Sequence, residues 1–299
     1  MSEPAPRILL AGATGELGGR IARALRARGA AVTAIVRPGT ASDRLATLRI
    51  LGVDVVATNL DSVTEVTAAC AGAACVVSAL NGLHETIVGT QTVLLHAAMA
   101  AGVPRFVPSD FCLDFTRTPA GSNRNMDLRR VFKARLDDAP IQATSILSGA
   151  FADMLTGQAP FLLFGPRRAL HWGDADQTLD FTTMDDVAAF TAAAALDPTT
   201  PRILRIAGEE TSPRGLAAAA SDATGRRFKT LRVGGIGVLE ALIKVARLAA
   251  PGKGQVFPPW QGMQYMRDMF SGEGKLAPLD NGRYPELRWT GVRTVLAAR

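Results

Sequence analysis

Three glycines at fixed spacing, Gly12, Gly15 and Gly18, follow the apolar run Arg7-Ile8-Leu9-Leu10-Ala11 and precede residues at helical spacing, Ile21, Ala24, Leu25 and Arg28. Glycine lets a backbone turn tightly and approach a ligand, and the free N–H groups at a helix start favour negative charge. The chemistry this points to is phosphate binding. Gly12, Thr14, Gly15, Glu16, Leu17 and Gly18 are therefore read as a pyrophosphate loop, with a strand before and a helix after it giving the glycines their meaning. The spacing is Gly-x-x-Gly-x-x-Gly rather than the usual dinucleotide Gly-x-Gly-x-x-Gly. Gly18 is expected to let the helix pack closely on the strand.

The second apolar run, Val32-Thr33-Ala34-Ile35-Val36, ends at Arg37-Pro38-Gly39-Thr40, with Ser42 and Arg44 close behind and no acid before Asp43. A site for NAD(H) places Asp or Glu there to accept from the ribose 2′-hydroxyl. A guanidinium instead suits a 2′-phosphate. The expected cofactor is therefore NADP(H). A solvated charge at a strand end is the plainer account of Arg37.

The elements that must position these residues follow a regular rhythm. Val53–Ala57, Cys75–Leu80, Arg105–Pro108 and Ala143–Leu147 are apolar runs, each after a helix-like interval, including helices at 85–101 and 125–137. Near-continuous apolar strands alternating with helices predict a buried parallel sheet, an α/β fold of the Rossmann-type doubly wound class. Ligands of such sheets lie beyond the carboxyl ends of the strands. That places Asn59, Leu60, Ala79, Leu80 and Asn81 beside the loop and the cofactor. The expected organisation is a cofactor domain at 1–153 and a smaller C-terminal α/β substrate region at 154–299, with about 181–208 returning to the main sheet.

The chain has 299 residues, 47% hydrophobic and 20% charged, as expected of a globular protein of one large or two joined domains. The net charge of +6 is carried by cations that form no run or aromatic stripe, so a nucleic-acid partner is not expected. Residues 1–6 hold no apolar leader, and 233–250 reads as an amphipathic helix broken by Glu240, Lys244 and Arg247, so neither export nor a membrane partner is expected. Cys70, Cys75 and Cys112 are odd in number and lack metal spacing, which points to a reduced, cytoplasmic setting without disulfides. Three scattered histidines, His84, His96 and His171, together with Asp185 and Asp186 at a helix start, form no expected metal site.

Gly12-Ala13-Thr14-Gly15-Glu16-Leu17-Gly18 and Val36-Arg37-Pro38 resemble the atypical short-chain dehydrogenases of the NmrA-like and isoflavone-reductase-like group. The resemblance continues through Val76–Gly82, through Ala100–Phe111, where the family usually reads Pro-Ser-Glu-Phe-Gly, and through Ser148–Asp153, Phe181–Val187 and Asn281–Pro285. It implies an NADP(H)-binding domain with a small substrate domain. It also implies one of two activities: reduction of aromatic compounds or quinones, or redox sensing by a regulator that passes its state to a protein partner.

The proton-transfer machinery departs from pattern. Ordinary short-chain dehydrogenases use Tyr-x-x-x-Lys, in which the lysine lowers the tyrosine pKa. Tyr265 and Tyr284, the two tyrosines here, have no lysine four residues on. The isoflavone-reductase-like enzymes use a lysine on the helix before the sixth strand, and gapless counting from Thr144 puts that position on Arg129, with Lys133 one turn further on the same face. Arginine keeps its proton at working pH but can hold a developing oxyanion. A hydride acceptor that forms a stable anion, such as a quinone or an enone, fits this better than an ordinary carbonyl. The expected catalytic residues are thus Arg129 and Lys133. The expected substrate-pocket residues are His84, Ser109, Asp110, Phe111, Cys112 and Phe151, with a buried structural thiol and a loop histidine as the plainer readings of Cys112 and His84.

Overall fold

The computed structural model describes residues 5–299, so residues 1–4 of the N-terminal stretch read for an apolar leader lie outside the described residues. The chain forms two compact units, each drawn from separate segments. The first contains residues 1–110, 128–146 and 187–204, and the second 111–127, 147–186 and 205–299.

The first unit is built on six strands, β1 (Arg7–Ala11), β2 (Ala31–Val36), β3 (Asp54–Ala57), β4 (Cys75–Ser78), β5 (Arg105–Val107) and β6 (Gln142–Ala143). They form one sheet in the order β3-β2-β1-β4-β5-β6, and every neighbouring pair is parallel. This is the Rossmann strand order, with the change of direction beside β1 and β4. The connecting helices are α1 (Glu16–Ala27), α2 (Ser42–Ile50), α3 (Val63–Cys70), α4 (Gln91–Ala100) and α5 (Arg124–Asp137). Central strands are apolar on both faces, as a sheet covered by helices requires: β1 buries Ile8, Leu9, Leu10 and Ala11 completely. Leu9, Val76 and Phe106 from the sheet pack with Leu94, Leu95, Phe132 and Leu136 from α4 and α5. Phe106 and Phe132 meet at 6.0 Å between ring centroids.

Two sequence expectations are corrected. The helix expected at 85–101 opens as a π-turn at Glu85–Thr90 before α4 takes over. The amide of Gln91, at the junction, donates to the Ile87 carbonyl at 2.7 Å. The strand expected at Ala143–Leu147 is two strands. Thr144 still donates its N–H to the Phe106 carbonyl, but Ser145 donates to that of Arg202, so the chain leaves the main sheet there. The second piece, β7 (Ser145–Leu147), pairs instead with 203–205.

The second unit carries β8 (Ala150–Phe151), β9 (Leu162–Leu163), β10 (Arg168–Trp172) and β11 (Leu179–Thr182), followed in the chain by α6 (Met184–Leu196), β12 (Ile203–Arg205) and β13 (Glu209–Thr211). Beyond these lie α7 (Pro213–Thr224), β14 (Lys229–Gly234), α8 (Ile236–Ala249), α9 (Pro259–Phe270) and α10 (Val292–Ala297). Two three-stranded sheets result, β14-β10-β9 and β13-β11-β8. Strands β11 and β12 thus pair outside the six-stranded sheet, while 187–204, which holds most of α6, joins the unit built on that sheet. Phe270 packs against Phe161 and Trp172, at 6.1 and 5.7 Å between centroids. The helix expected from Val233 starts at Ile236, because Val233 and Gly234 end β14.

Candidate active site

The glycine loop has the geometry its sequence predicts. Gly12 sits at φ +84°, and a Cβ there would stand 2.5 Å from the Ala79 carbonyl oxygen, so only glycine lets the loop pass the end of β4. At Gly18 a Cβ would lie 2.0 Å from the Gly12 carbonyl oxygen, inside the helix-to-strand contact. Gly15 differs: its nearest neighbour to a Cβ is 3.4 Å away, it is exposed, and it is the N-cap of α1. A glycine N-cap has no side chain to satisfy the first N–H groups of the helix, which leaves them for an anion. Ala13, Thr14, Gly15 and Glu16 line one side of a cavity of about 200 Å³ whose other walls include Arg20, Arg23, Arg44 and Thr47. Three guanidinium groups and one carboxylate, Glu16, leave this lining net positive beside a helix N-terminus, and a phosphate-bearing cofactor fits its chemistry. Arg20 and Arg23 are functional candidates the sequence reading passed over, although they follow the glycines directly on the next turns of α1.

Arg37 is exposed at the end of β2, where the Arg37 carbonyl accepts from Thr40 N–H at 3.2 Å and from Thr40 Oγ1 at 2.7 Å. Asn59 is exposed and its side chain accepts from Asp61 N–H, while Leu60 is buried in the core. Ala79 and Leu80 stand beside Gly12, and Asn81 is exposed just beyond them.

Ser109 ties the ends of β4 and β5 together. Its hydroxyl donates to the Leu80 carbonyl at 2.6 Å, and its N–H is accepted by the Gln91 side chain at 2.9 Å. Next to it Asp110 is buried, at 1% exposure, and accepts from Ser145 Oγ at 2.6 Å. Burial pushes the Asp110 carboxyl above its ordinary range; the Ser145 hydrogen bond and the charges of Arg129, Arg202 and Lys133 oppose this without cancelling it. Arg129 is itself buried on α5. Lys133, one turn on, is half-buried and pairs with Asp137, which also accepts from Arg202 Nε at 2.8 Å. Arg202 donates in turn to Ser145 Oγ at 2.7 Å. A relay of charged and polar groups thus runs Lys133, Asp137, Arg202, Ser145, Asp110 within the first unit. Sequence reasoning missed Ser145, Asp137 and Arg202, which no local motif marks. His84 is exposed and stands at the N-cap of the π-turn, in helical conformation, rather than on a loop.

In the second unit Phe111 and Cys112 are buried, and the Cys112 thiol donates to the Leu113 carbonyl. The Cys112 carbonyl accepts from the N–H groups of Ser148 and Gly149. Phe151, half-buried on β8, is in register with Thr182 of β11. Burial pushes the thiols of Cys70 and Cys75 up to about 11 and 12, which leaves them unreactive. Among the described residues no group of His, Cys, Asp and Glu could hold a metal ion, and no helix is long and apolar enough to cross a membrane.

The model of the NmrA-like family matches residues 4–281, and the chain belongs to that family. It is 31% identical over 212 residues to pinoresinol reductase 2 of Arabidopsis thaliana, covering 65% of this chain and 66% of that protein. It is 32% identical over 213 residues to the isoflavone reductase homolog IRL of Zea mays, covering 66% and 67%. The match to the first of these spans just under two thirds of the relative's length. Among solved structures, AtPrR2 with NADP+ and (+)pinoresinol is similar with a TM-score of 0.85, at 21% identity over 99% of both chains. The leucoanthocyanidin reductase–NADPH complex from Vitis vinifera is similar with a TM-score of 0.81, at 21% identity over 98% of both. These two likenesses define the fold.

Proposed function

We propose that this protein is an NADP(H)-dependent reductase of a small aromatic, quinone or enone compound, working in a reducing, cytoplasmic setting. The observation that carries the reading is the exposed, uncapped N-terminus of α1 at Gly15, on a cavity also lined by Arg20, Arg23 and Arg44, with Arg37 where an NAD(H) site would hold an acid. Its reductase relatives support the redox class. Gly12 to Gly18 would hold the pyrophosphate and Arg37 the 2′-phosphate, with Asn59, Leu60, Ala79, Leu80 and Asn81 along the cofactor's path. The cofactor supplies a hydride when bound. Arg129 is proposed to hold the negative charge that grows on the acceptor oxygen; a guanidinium keeps its proton, so the balancing proton comes from solvent. Lys133 is engaged by Asp137 and is given a positioning role through the relay to Asp110. His84, Ser109, Asp110, Phe111, Cys112 and Phe151 remain the candidates for contact with substrate.

The test is NADPH oxidation against a panel of quinones, enones and aromatic carbonyls, run beside calorimetric affinities for NADPH and NADH. Turnover with a strong preference for NADPH supports the reading. Tight NADPH binding without turnover of any acceptor would replace it with a redox-sensing role.

A further inference from the structure

Residues 226–253 hold seven basic side chains, Arg226, Arg227, Lys229, Arg232, Lys244, Arg247 and Lys253, and one acid, Glu240. Their net charge of +6 equals that of the whole chain, so the remainder of the sequence is balanced. All seven cations are exposed. The same stretch is where apolar surface meets solvent: of the eleven large apolar side chains exposed among the described residues, seven lie between 231 and 257. Helix α8 shows why. It buries only Leu239 and Ile243, while Val238, Leu242, Val245 and Leu248 are 49%, 40%, 62% and 85% exposed. These four fall at helical spacing along one stripe, away from the buried side. Leu231 and Val233 are exposed as well, on β14, the edge strand of its sheet.

Below the C-terminal end of α8 lies a cleft of about 650 Å³ with an apolar floor at Leu248, Pro251 and Trp260. Four cations border it, Arg124, Lys244, Arg247 and Lys253. Arg124 and Arg247 both lie over the Trp260 ring, at 4.7 and 5.1 Å from its centroid. The Arg124 side chain donates to the Val256 carbonyl at 2.6 Å, which fixes it there. An aliphatic stripe flanked by converging cations matches the two layers of a phospholipid surface, acyl chain and anionic headgroup.

We propose that α8 and the cleft beneath it form a peripheral docking face for an anionic phospholipid membrane, with Val238, Leu242, Val245 and Leu248 entering the interface and the cleft cations holding headgroup phosphates. Charge selects this occupant over a second copy of the chain, since two faces of +6 repel when brought together. The aliphatic stripe selects it over nucleic acid, whose phosphate backbone draws the cations but offers no apolar layer to receive Val238, Leu242, Val245 and Leu248. The contact is interfacial and needs no spanning segment.

The experiment is sedimentation of the full-length protein with phosphatidylcholine vesicles, with and without phosphatidylserine, at low and high salt. Binding is expected only to the phosphatidylserine vesicles and is expected to weaken as salt screens the cations. Val245→Asp, and separately Lys244→Glu with Lys253→Glu, should each lower the partition coefficient roughly tenfold or more. These side chains are exposed, and unchanged circular dichroism and melting temperature establish that the variants fold. Equal sedimentation with both vesicle types, none with either, or native binding by Val245→Asp overturns the proposal. So does a native dimer that Val245→Asp dissolves, which assigns the face to a second copy, or binding to duplex DNA without binding to vesicles.

Discussion

The carbonyl oxygen of Gly12 occupies the space where any side chain on Gly18 would begin, at 2.0 Å from the position of a Cβ. The obstacle is backbone, so no rotamer change relieves it. Gly18→Ala must push α1 away from β1 and is expected to destabilise the protein by about 1–3 kcal/mol, the scale of overpacking a close contact. Gly15→Val meets only a 3.4 Å neighbour, should melt near the native temperature, and should lose NADPH because its bulk fills the ligand's path. Thermal melts and calorimetry on the two variants separate these outcomes. Retained NADPH affinity in a folded Gly15→Val protein would remove this loop as the cofactor site.

Arg37 sets the second expectation. NADPH should bind more tightly than NADH by the worth of one or two charge-assisted hydrogen bonds, about 1.5–3 kcal/mol each, and Arg37→Ala should remove most of that difference. Calorimetry that finds equal affinities in the native protein would instead leave Arg37 a surface charge, and Arg44 in the cleft wall would become the residue to vary.

The contrast between a buried Arg129 and a Lys133 engaged by Asp137 orders the catalytic variants. Arg129→Ala should lower kcat by roughly 10²-fold, as expected for the loss of one oxyanion donor, with cofactor affinity little changed. Lys133→Ala should cost much less. The reverse order in steady-state kinetics would assign the chemistry to Lys133 and displace the alignment by one turn.

Asp110 should leave a signature in the pH dependence of stability. Its folded pKa lies above the ordinary carboxylate value, so between the two the folded protein binds more protons than the unfolded chain. The contribution is greatest below the unfolded pKa and is lost as pH rises toward the folded one. Asp110→Asn keeps an acceptor for Ser145 and cannot ionise, so it should flatten this part of the profile. Chemical denaturation of both proteins from acid to neutral pH measures it, and identical slopes would show that Asp110 does not carry the effect.

What was legible in the sequence depended on whether the cause was local. The loop at Gly12 to Gly18 could be read because its steric demands involve neighbouring peptide groups, and the parallel sheet because its strands are apolar on both faces. The break at Thr144 could not, since Ala143–Leu147 keeps one apolar run while its hydrogen-bond partners change from Phe106 to Arg202. Nor could the π-turn at 85–90, where the periodicity stays helical and only the bonding shifts. The relay from Lys133 to Asp110 joins positions scattered from 110 to 202, and no spacing rule reaches that far. The basic face at 226–253 was hidden for another reason: its cations are interspersed with aliphatic residues, and only their solvent exposure makes them one surface.

The segmented make-up of the first unit bears on how the protein is made. Arg105, 5% exposed on β5, gives its guanidinium protons to the carbonyls of Ala194 and Ala195 and to Thr200 Oγ1, at 2.7–2.9 Å. Until those residues are synthesised, β5, next to the edge of the sheet, lacks the acceptors its cation takes in the folded protein. At about 5–20 residues per second, translation takes roughly 5–20 s to run from Arg105 to the end of that unit at Leu204. The first unit is therefore completed by a late segment of the chain, and a circular permutant that brings 187–204 earlier is expected to complete it sooner, which refolding kinetics would measure.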